Sequence, residues 1–124
     1  MTLSALIIED DYDLGDMIAE VFRDYVGWEI EWIKNGQEAL ERVQQCAPSL
    51  IVLDLHLPDV SGMDILASIR GDSDPEKAKT PVIIITADAF LARDAEALAD
   101  IVLVKPMHID EMIQIAERLT GEIA

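Results

Sequence analysis

Basic residues are scarce in this sequence: nine lysines and arginines stand against 25 aspartates and glutamates, and the formal net charge is −16. Such a field repels the phosphates of nucleic acids and anionic lipids, which argues against direct DNA binding and against adsorption to membranes. Partners are expected to be neutral or basic at the contact, or recruited through a cation. Cys46 is the only cysteine; it has no internal disulfide partner, and a buried, reduced thiol is the expectation. No apolar run approaches the roughly 20 residues of a membrane span. The opening Met1-Thr2-Leu3-Ser4-Ala5 carries neither a basic region nor a cleavage signal, so the expected location is cytoplasmic. A glycine-rich phosphate loop is missing too. Glu9-Asp10-Asp11 stands where it would follow the first strand, which argues against a simple nucleotide-binding fold. Repeats, linkers and low-complexity segments are absent, and 124 residues with 51% hydrophobic content fit one globular domain over 1–124.

What is present is organised around Leu50-Ile51-Val52-Leu53-Asp54. Four consecutive apolar residues predict a strand buried on both faces, as in a parallel sheet covered by helices. Similar runs are Leu3–Ile8, the polar-alternating Glu29–Ile33 expected near a sheet edge, Val82–Ile85 and Ile101–Val104. Between them, helical spacing appears at Leu14, Ile18, Val21, Phe22 and Tyr25, with Asp11 or Asp13 as cap and Gly27 as stop. Further helices follow Asn35-Gly36 (Ala39, Leu40, Val43 inward) and Ser61-Gly62 (Leu66, Ile69 inward). The last two are predicted over Ala89–Leu98 and Ile109–Leu119. Asp72–Thr80 is polar, contains Pro75 and is expected to be a surface loop. Five strands alternating with five helices predict right-handed βαβ crossovers and one doubly wound parallel sheet.

Such sheets bind ligands at the carboxyl ends of their strands. Four of the five strands end in Glu9-Asp10, Asp54, Thr86 and Lys105; the second ends in Lys34-Asn35 and offers nothing comparable. Each of these residues alone has an ordinary explanation as a turn former, a β-branched strand residue or a surface lysine. Together they would gather three carboxylates, a hydroxyl and an ammonium on one rim. Two carboxylates about 4 Å apart repel by roughly 4 kcal/mol at an effective dielectric of 20. Either one is protonated, or Lys105 and a divalent cation neutralise the group. Oxygen-only ligands suit Mg²⁺. Zinc is disfavoured, because His56 and His108 lack ligand spacing and Cys46 is remote. A carboxylate beside Mg²⁺ is a competent nucleophile toward a phosphoryl group, and Thr86 and Lys105 supply donors for its oxygens.

Glu9-Asp10-Asp11, Asp54-Leu-His-Leu-Pro58-Asp-Val-Ser-Gly62, Thr86-Ala87 and Lys105-Pro106, in this order and at these intervals, resemble the receiver domains of two-component response regulators across essentially the whole chain. The resemblance implies a flavodoxin-like fold of strand order 2-1-3-4-5 and a signalling switch phosphorylated on Asp54. It implies Mg²⁺ held by Asp10, Asp54 and the main-chain carbonyl of His56, with Glu9 acting largely through water. Thr86 and Lys105 would hold the phosphoryl oxygens, and the Lys105–Pro106 bond would be cis. The phosphoryl donor would be a histidine kinase or histidine phosphotransfer protein, phosphorylation would change binding to a downstream protein target, and hydrolysis by water would reset the switch.

The chain departs from the family pattern at Val102, where a tyrosine or phenylalanine is usual three residues before the lysine. Output is then expected through helix and loop repacking. His56 and Asp88, two residues beyond Asp54 and Thr86, are read as tuners of phosphate lifetime. Ile101, Val102, Ile109 and Met112 are candidates for an apolar face of the fourth helix, fifth strand and fifth helix, used for a partner or a homodimer, with core packing favoured for Ile109 and Met112. Two rivals are a pseudo-receiver that binds without being phosphorylated and an aspartyl-phosphate phosphohydrolase. The second has against it His56, where such enzymes carry an acid, and the lack of a cap domain.

Overall fold

The computed structural model describes residues 3–121, so the expected 1–124 unit and the reading of Met1 and Thr2 extend outside the described residues. Its elements are β1 (Ser4–Ile8), α1 (Tyr12–Glu20) continued by a π-helical turn (Val21–Val26), β2 (Glu29–Ile33), α2 (Gly36–Gln45), β3 (Leu50–Asp54) and α3 (Gly62–Arg70). Then come α4 (Pro75–Ala78), β4 (Val82–Thr86), α5 (Ala89–Ala95), β5 (Ile101–Val104) and α6 (Ile109–Thr120). The five strands are all parallel, in the order β2-β1-β3-β4-β5. This is the doubly wound, flavodoxin-like order expected.

The period of two along each strand sends alternate residues to opposite layers. Leu6, Ile8, Ile51, Leu53, Val82 and Ile84 pack with Ala39 and Val43 of α2 and Ile65, Leu66 and Ile69 of α3. The intervening Ala5, Ile7, Leu50, Val52, Ile83 and Ile85 pack with Ile18 of α1, Phe22, and Met112 and Ala116 of α6. Because both faces are covered, β3 and β4 are buried at every position. Each fully buried aliphatic side chain contributes about 1.5–3 kcal/mol, which makes the central strands a stiff platform for whatever stands at their ends.

The structure corrects several expectations. The expected loop Asp72–Thr80 contains α4, with Pro75 in its first turn and Asp74 accepting from the Glu76 amide at 3.0 Å. The helix predicted to Leu98 is regular only to Ala95. Tyr25, expected inward, is 85% exposed, while Phe22 is fully buried. The wider π turn changes the helical phase, so spacing at 3.6 residues mispoints Tyr25. Gly27, at φ 80°, ends the segment as predicted. Leu14, Val21 and Leu40 are only half-buried, as is Cys46, whose thiol donates to the Arg42 carbonyl at 3.0 Å. Met112 is fully buried, in keeping with the core packing favoured for it over a place in the partner face. Among the described residues no helix is long and apolar enough to cross a membrane.

Candidate functional site

Parallel register brings the polar strand ends level. Ile8 pairs with Leu53, so Glu9 and Asp54 stand side by side at the ends of β1 and β3. Asp54 pairs with Ile85 and Thr86 with Val104, which puts Thr86 and Lys105 one and two strands further along the same rim. Carboxylate oxygens of Glu9, Asp10 and Asp54 all lie within 4.8 Å of one another. The Lys105 ammonium donates to Asp54 Oδ2 at 2.9 Å and to Glu9 Oε1 at 3.2 Å. Glu9, Asp54 and Thr86 are buried, whereas Asp10 is exposed.

Burial above all, then the hydrogen bond and negative charge of Asp54, push the Glu9 carboxyl up to about 8. The Asp11 amide and Lys105 pull the other way without reversing this. Both reliefs expected for the crowded acids thus have a counterpart here: the raised Glu9 carboxyl favours its protonated form, and the Lys105 ammonium pairs with Asp54 and Glu9. Burial disfavours the charge on Lys105, but its hydrogen bond to Asp54 and the charges of Asp54 and Glu9 outweigh it and raise its pKa. The donors are all oxygens, one acid is buried and strained by its neighbour's charge, and Asp10 opens to solvent. That set fits a hard divalent cation that keeps some of its waters, as Mg²⁺ does.

The segment after β3 is tightly held. The His56 amide donates to Asp54 Oδ1 at 2.8 Å and fixes that carboxylate from below. A Cβ on Gly62 would stand 2.5 Å from Leu55 Cα and 2.7 Å from the Asp54 carbonyl oxygen, so only glycine lets α3 start this close to the strand end. Asp59 accepts from the Gly36 and Gln37 amides at 2.7 and 3.0 Å. Those bonds tie the loop to the start of α2 and hold the Asp59 carboxyl below its ordinary range. Across the site, Thr86 Oγ1 accepts from the Asp88 amide at 3.0 Å. Asp88 in turn caps α5 by accepting from the Phe90 and Leu91 amides. His56 Nε2 and Asp88 Oδ2 face each other at 3.9 Å over the mouth. The Lys105–Pro106 bond is cis.

All the strand-end side chains expected at the rim are there. Two residues were missed. Asp59 was quoted in a motif but given no part, because its partners lie 22 and 23 residues away. Trp32, in the strand read as offering nothing, donates its indole N–H to the Glu9 carbonyl at 2.9 Å. A large aromatic in an edge strand that alternates with Glu29 and Glu31 was the available signal. Val102 is half-buried and packs against the α2–α3 side of the core.

Fold and rim together define a doubly wound α/β protein with an acid–hydroxyl–lysine cluster at the carboxyl edge of its sheet. A family model for the response regulator receiver domain matches residues 5–117, and the chain belongs to that family. The transcriptional regulatory protein TrcR of Mycobacterium tuberculosis is 32% identical over 114 residues, covering 90% of this chain and 42% of its own length. The sensor histidine kinase AtsR of Burkholderia thailandensis is 29% identical over 119 residues, covering 94% of this chain and 20% of its own. The chain thus spans half or less of the length of these relatives. Among solved structures, the response regulator TrrA of Thermotoga maritima in complex with Mg²⁺ and BeF matches with a TM-score of 0.82 and 26% identity, over 95% of this chain and 99% of that one.

Proposed function

We propose that this domain is a phosphorylation-dependent switch of a two-component phosphorelay, with Asp54 as the phosphoacceptor. The observation that carries the reading is the position of Asp54: buried, with one oxygen bound by the His56 amide and the other by Lys105, beside two further acids. In the forward step an Asp54 oxygen bonds to the phosphorus of a phosphohistidine, the P–N bond breaks, and the imidazole of the donor kinase or phosphotransfer protein leaves with those electrons. Lys105 and the Thr86 hydroxyl donate to the phosphoryl oxygens as charge shifts onto them. Asp10, Asp54 and the His56 carbonyl would hold Mg²⁺, with Glu9 acting largely through water, and the ion would supply positive charge for the transferring group. In the resetting step water bonds to phosphorus and the Asp54 carboxylate leaves. His56 and Asp88 flank the approach of that water and tune its rate.

Thr86 is the point where the phosphate speaks to the rest of the molecule. Its hydroxyl is bonded to the Asp88 amide, and Asp88 caps α5, so a shift of Thr86 toward the phosphoryl group pulls on the start of α5. With valine at 102 there is no ring to rotate, and output runs through this cap and the exposed Phe90 and Val104. The α5–β5–α6 face is then the surface for a downstream protein or a second copy, in the cytoplasm.

Intact-mass spectrometry after incubation with acetyl phosphate tests the reading. One phosphoryl adduct is expected, dependent on Mg²⁺ and absent in Asp54→Asn. An Asp54→Asn variant that labels as well as wild type overturns the assignment. If no adduct accumulates, binding of beryllofluoride signals a short-lived phosphate. Its failure to bind favours the second reading, a constitutive interaction module, for which Val102 is the supporting feature.

A further inference from the structure

The end of β2 grips the acidic loop from outside the cluster. Glu9 is held at both of its backbone polar groups by that strand: its N–H donates to the Ile33 carbonyl at 3.0 Å, and its carbonyl accepts the Trp32 indole N–H at 2.9 Å. The first bond is ordinary parallel pairing. The second is not, because a side chain takes the place of a ladder amide just where β1 gives way to Asp10 and Asp11. The first holds the Ile8–Glu9 peptide and the second the Glu9–Asp10 peptide, so it is the indole that sets the direction in which Asp10 leaves the backbone. Asp10 is the exposed member of the cluster, and backbone placement has to aim it.

The indole is itself held on three sides. A Cβ on Gly15 would overlap the ring, so this helical position admits the indole against α1 only because it is glycine. Tyr12, in the first turn of α1, meets the ring at 5.4 Å and an interplanar angle of 52°. The Lys34 ammonium lies 4.6 Å from the Trp32 ring centroid and 5.1 Å from that of Tyr12, within range of a cation–π attraction. A glycine inside a helix costs roughly 0.5–1 kcal/mol relative to alanine, and here that cost coincides with the seat of the tryptophan.

We propose that Trp32 is a positioning residue for the cation site: through the Glu9 carbonyl it presets Glu9 and Asp10 so that they meet a divalent ion with little rearrangement. Partners one shell out from a metal commonly set ligand orientation and are worth about 10–100-fold in metal affinity. The inference rests on the reading of Glu9, Asp10 and Asp54 as a Mg²⁺ site, and the test separates the two.

Mg²⁺ binding is measured by isothermal titration on wild type, Trp32→Phe and Gly15→Ala, alongside each metal-free melting temperature. Trp32→Phe keeps a ring and loses the N–H; Gly15→Ala displaces the indole while leaving its N–H intact. Both are expected to bind Mg²⁺ about tenfold more weakly. In the acetyl phosphate reaction, both should need correspondingly more Mg²⁺ for half-maximal adduct and reach the same final adduct. In wild type, the Trp32 indole ¹H–¹⁵N resonance should shift with the Mg²⁺ titration midpoint while that of Trp28 stays put. Wild-type affinity in Trp32→Phe, or a Trp32 resonance indifferent to bound Mg²⁺, overturns the role of Trp32 and leaves the site intact. No Mg²⁺ binding by wild type overturns the site itself, and the inference with it.

Discussion

Glu9 is the residue whose chemistry the fold alters most. It keeps an ordinary position after a strand, yet burial and Asp54 lift its pKa from 4.5 to about 8. In the unfolded chain Glu9 has released its proton by about pH 5, whereas the metal-free folded chain retains it up to about pH 8. The folded state therefore holds more protons across that window, and its stability falls as pH rises from 5 to 8. The depressed carboxyls of Glu31 and Asp59 act in the opposite direction, but only as pH drops through and below the usual carboxylate range, so they leave the window clear. With EDTA present, the melting temperature of wild type is expected to decline from pH 5 to pH 8, and Glu9→Gln is expected to flatten most of that decline. An equal slope in the variant assigns the effect elsewhere.

At the scale of elements, the joints between helices and strands depend on a few long-range polar clamps. Arg70, at the end of α3, donates to the carbonyls of Ala78, Thr80 and Leu98 at 2.6–2.9 Å and to the Asp100 carboxylate at 2.9 Å. Asp100 also accepts from the Val82 amide at 2.8 Å, where β4 begins. One mostly buried guanidinium thus fastens α3, α4 and the turn before β5 to the lower edge of the sheet. Arg70→Ala removes a donor from three carbonyls and one of the two donors of the Asp100 carboxylate, which is expected to cost about 2–3 kcal/mol. Urea denaturation reads this as a lower midpoint at unchanged slope. Because the clamp sits at the opposite end of β4 from Thr86, Mg²⁺-dependent phosphorylation of the folded variant is expected to match wild type. Asp59 does the comparable work at the rim, joining the loop after Asp54 to α2.

For the molecule as a whole the dominant quantity is the charge of −16. Ion pairs leave this excess unchanged; among the described residues the short ones, Arg42 with Glu31, Arg70 with Asp100 and Lys105 with Asp54, serve local joints and the rim. Self-repulsion at this density works against the compact state and is screened over about 8–10 Å at moderate ionic strength. Raising NaCl from 20 mM to 500 mM is expected to raise the melting temperature, in Glu9→Gln as well as in wild type. A flat or falling response shows that repulsion is too diffuse to matter. The same field favours basic partner surfaces and cations over nucleic acid, even though the relatives it resembles include transcriptional regulators of which it spans less than half.

The sequence by itself determined the five strands, their parallel direction and the rim on which Glu9, Asp10, Asp54, Thr86 and Lys105 stand; their order came from the family resemblance. Hydrophobic runs such as Leu50–Leu53 report burial on both faces locally, and a strand's last residue must appear at the sheet's edge whatever packs around it. The cap of α1 was legible to within Asp11 or Asp13 for the same reason, since a helix cap is a matter of a few consecutive residues; the structure selects Asp11, which accepts from the Leu14 amide. What only the tertiary structure decided is everything that joins residues far apart in the chain. The rise of Glu9 comes from burial beside Asp54, 45 positions on. The Asp59 clamp on α2, the Arg70 staple and the indole of Trp32 on the Glu9 carbonyl are likewise contacts across elements. Tyr25 was misplaced because a π turn broke the period on which its reading depended. Local patterns follow from covalent geometry and water. Partnerships follow from which surfaces the finished sheet brings together.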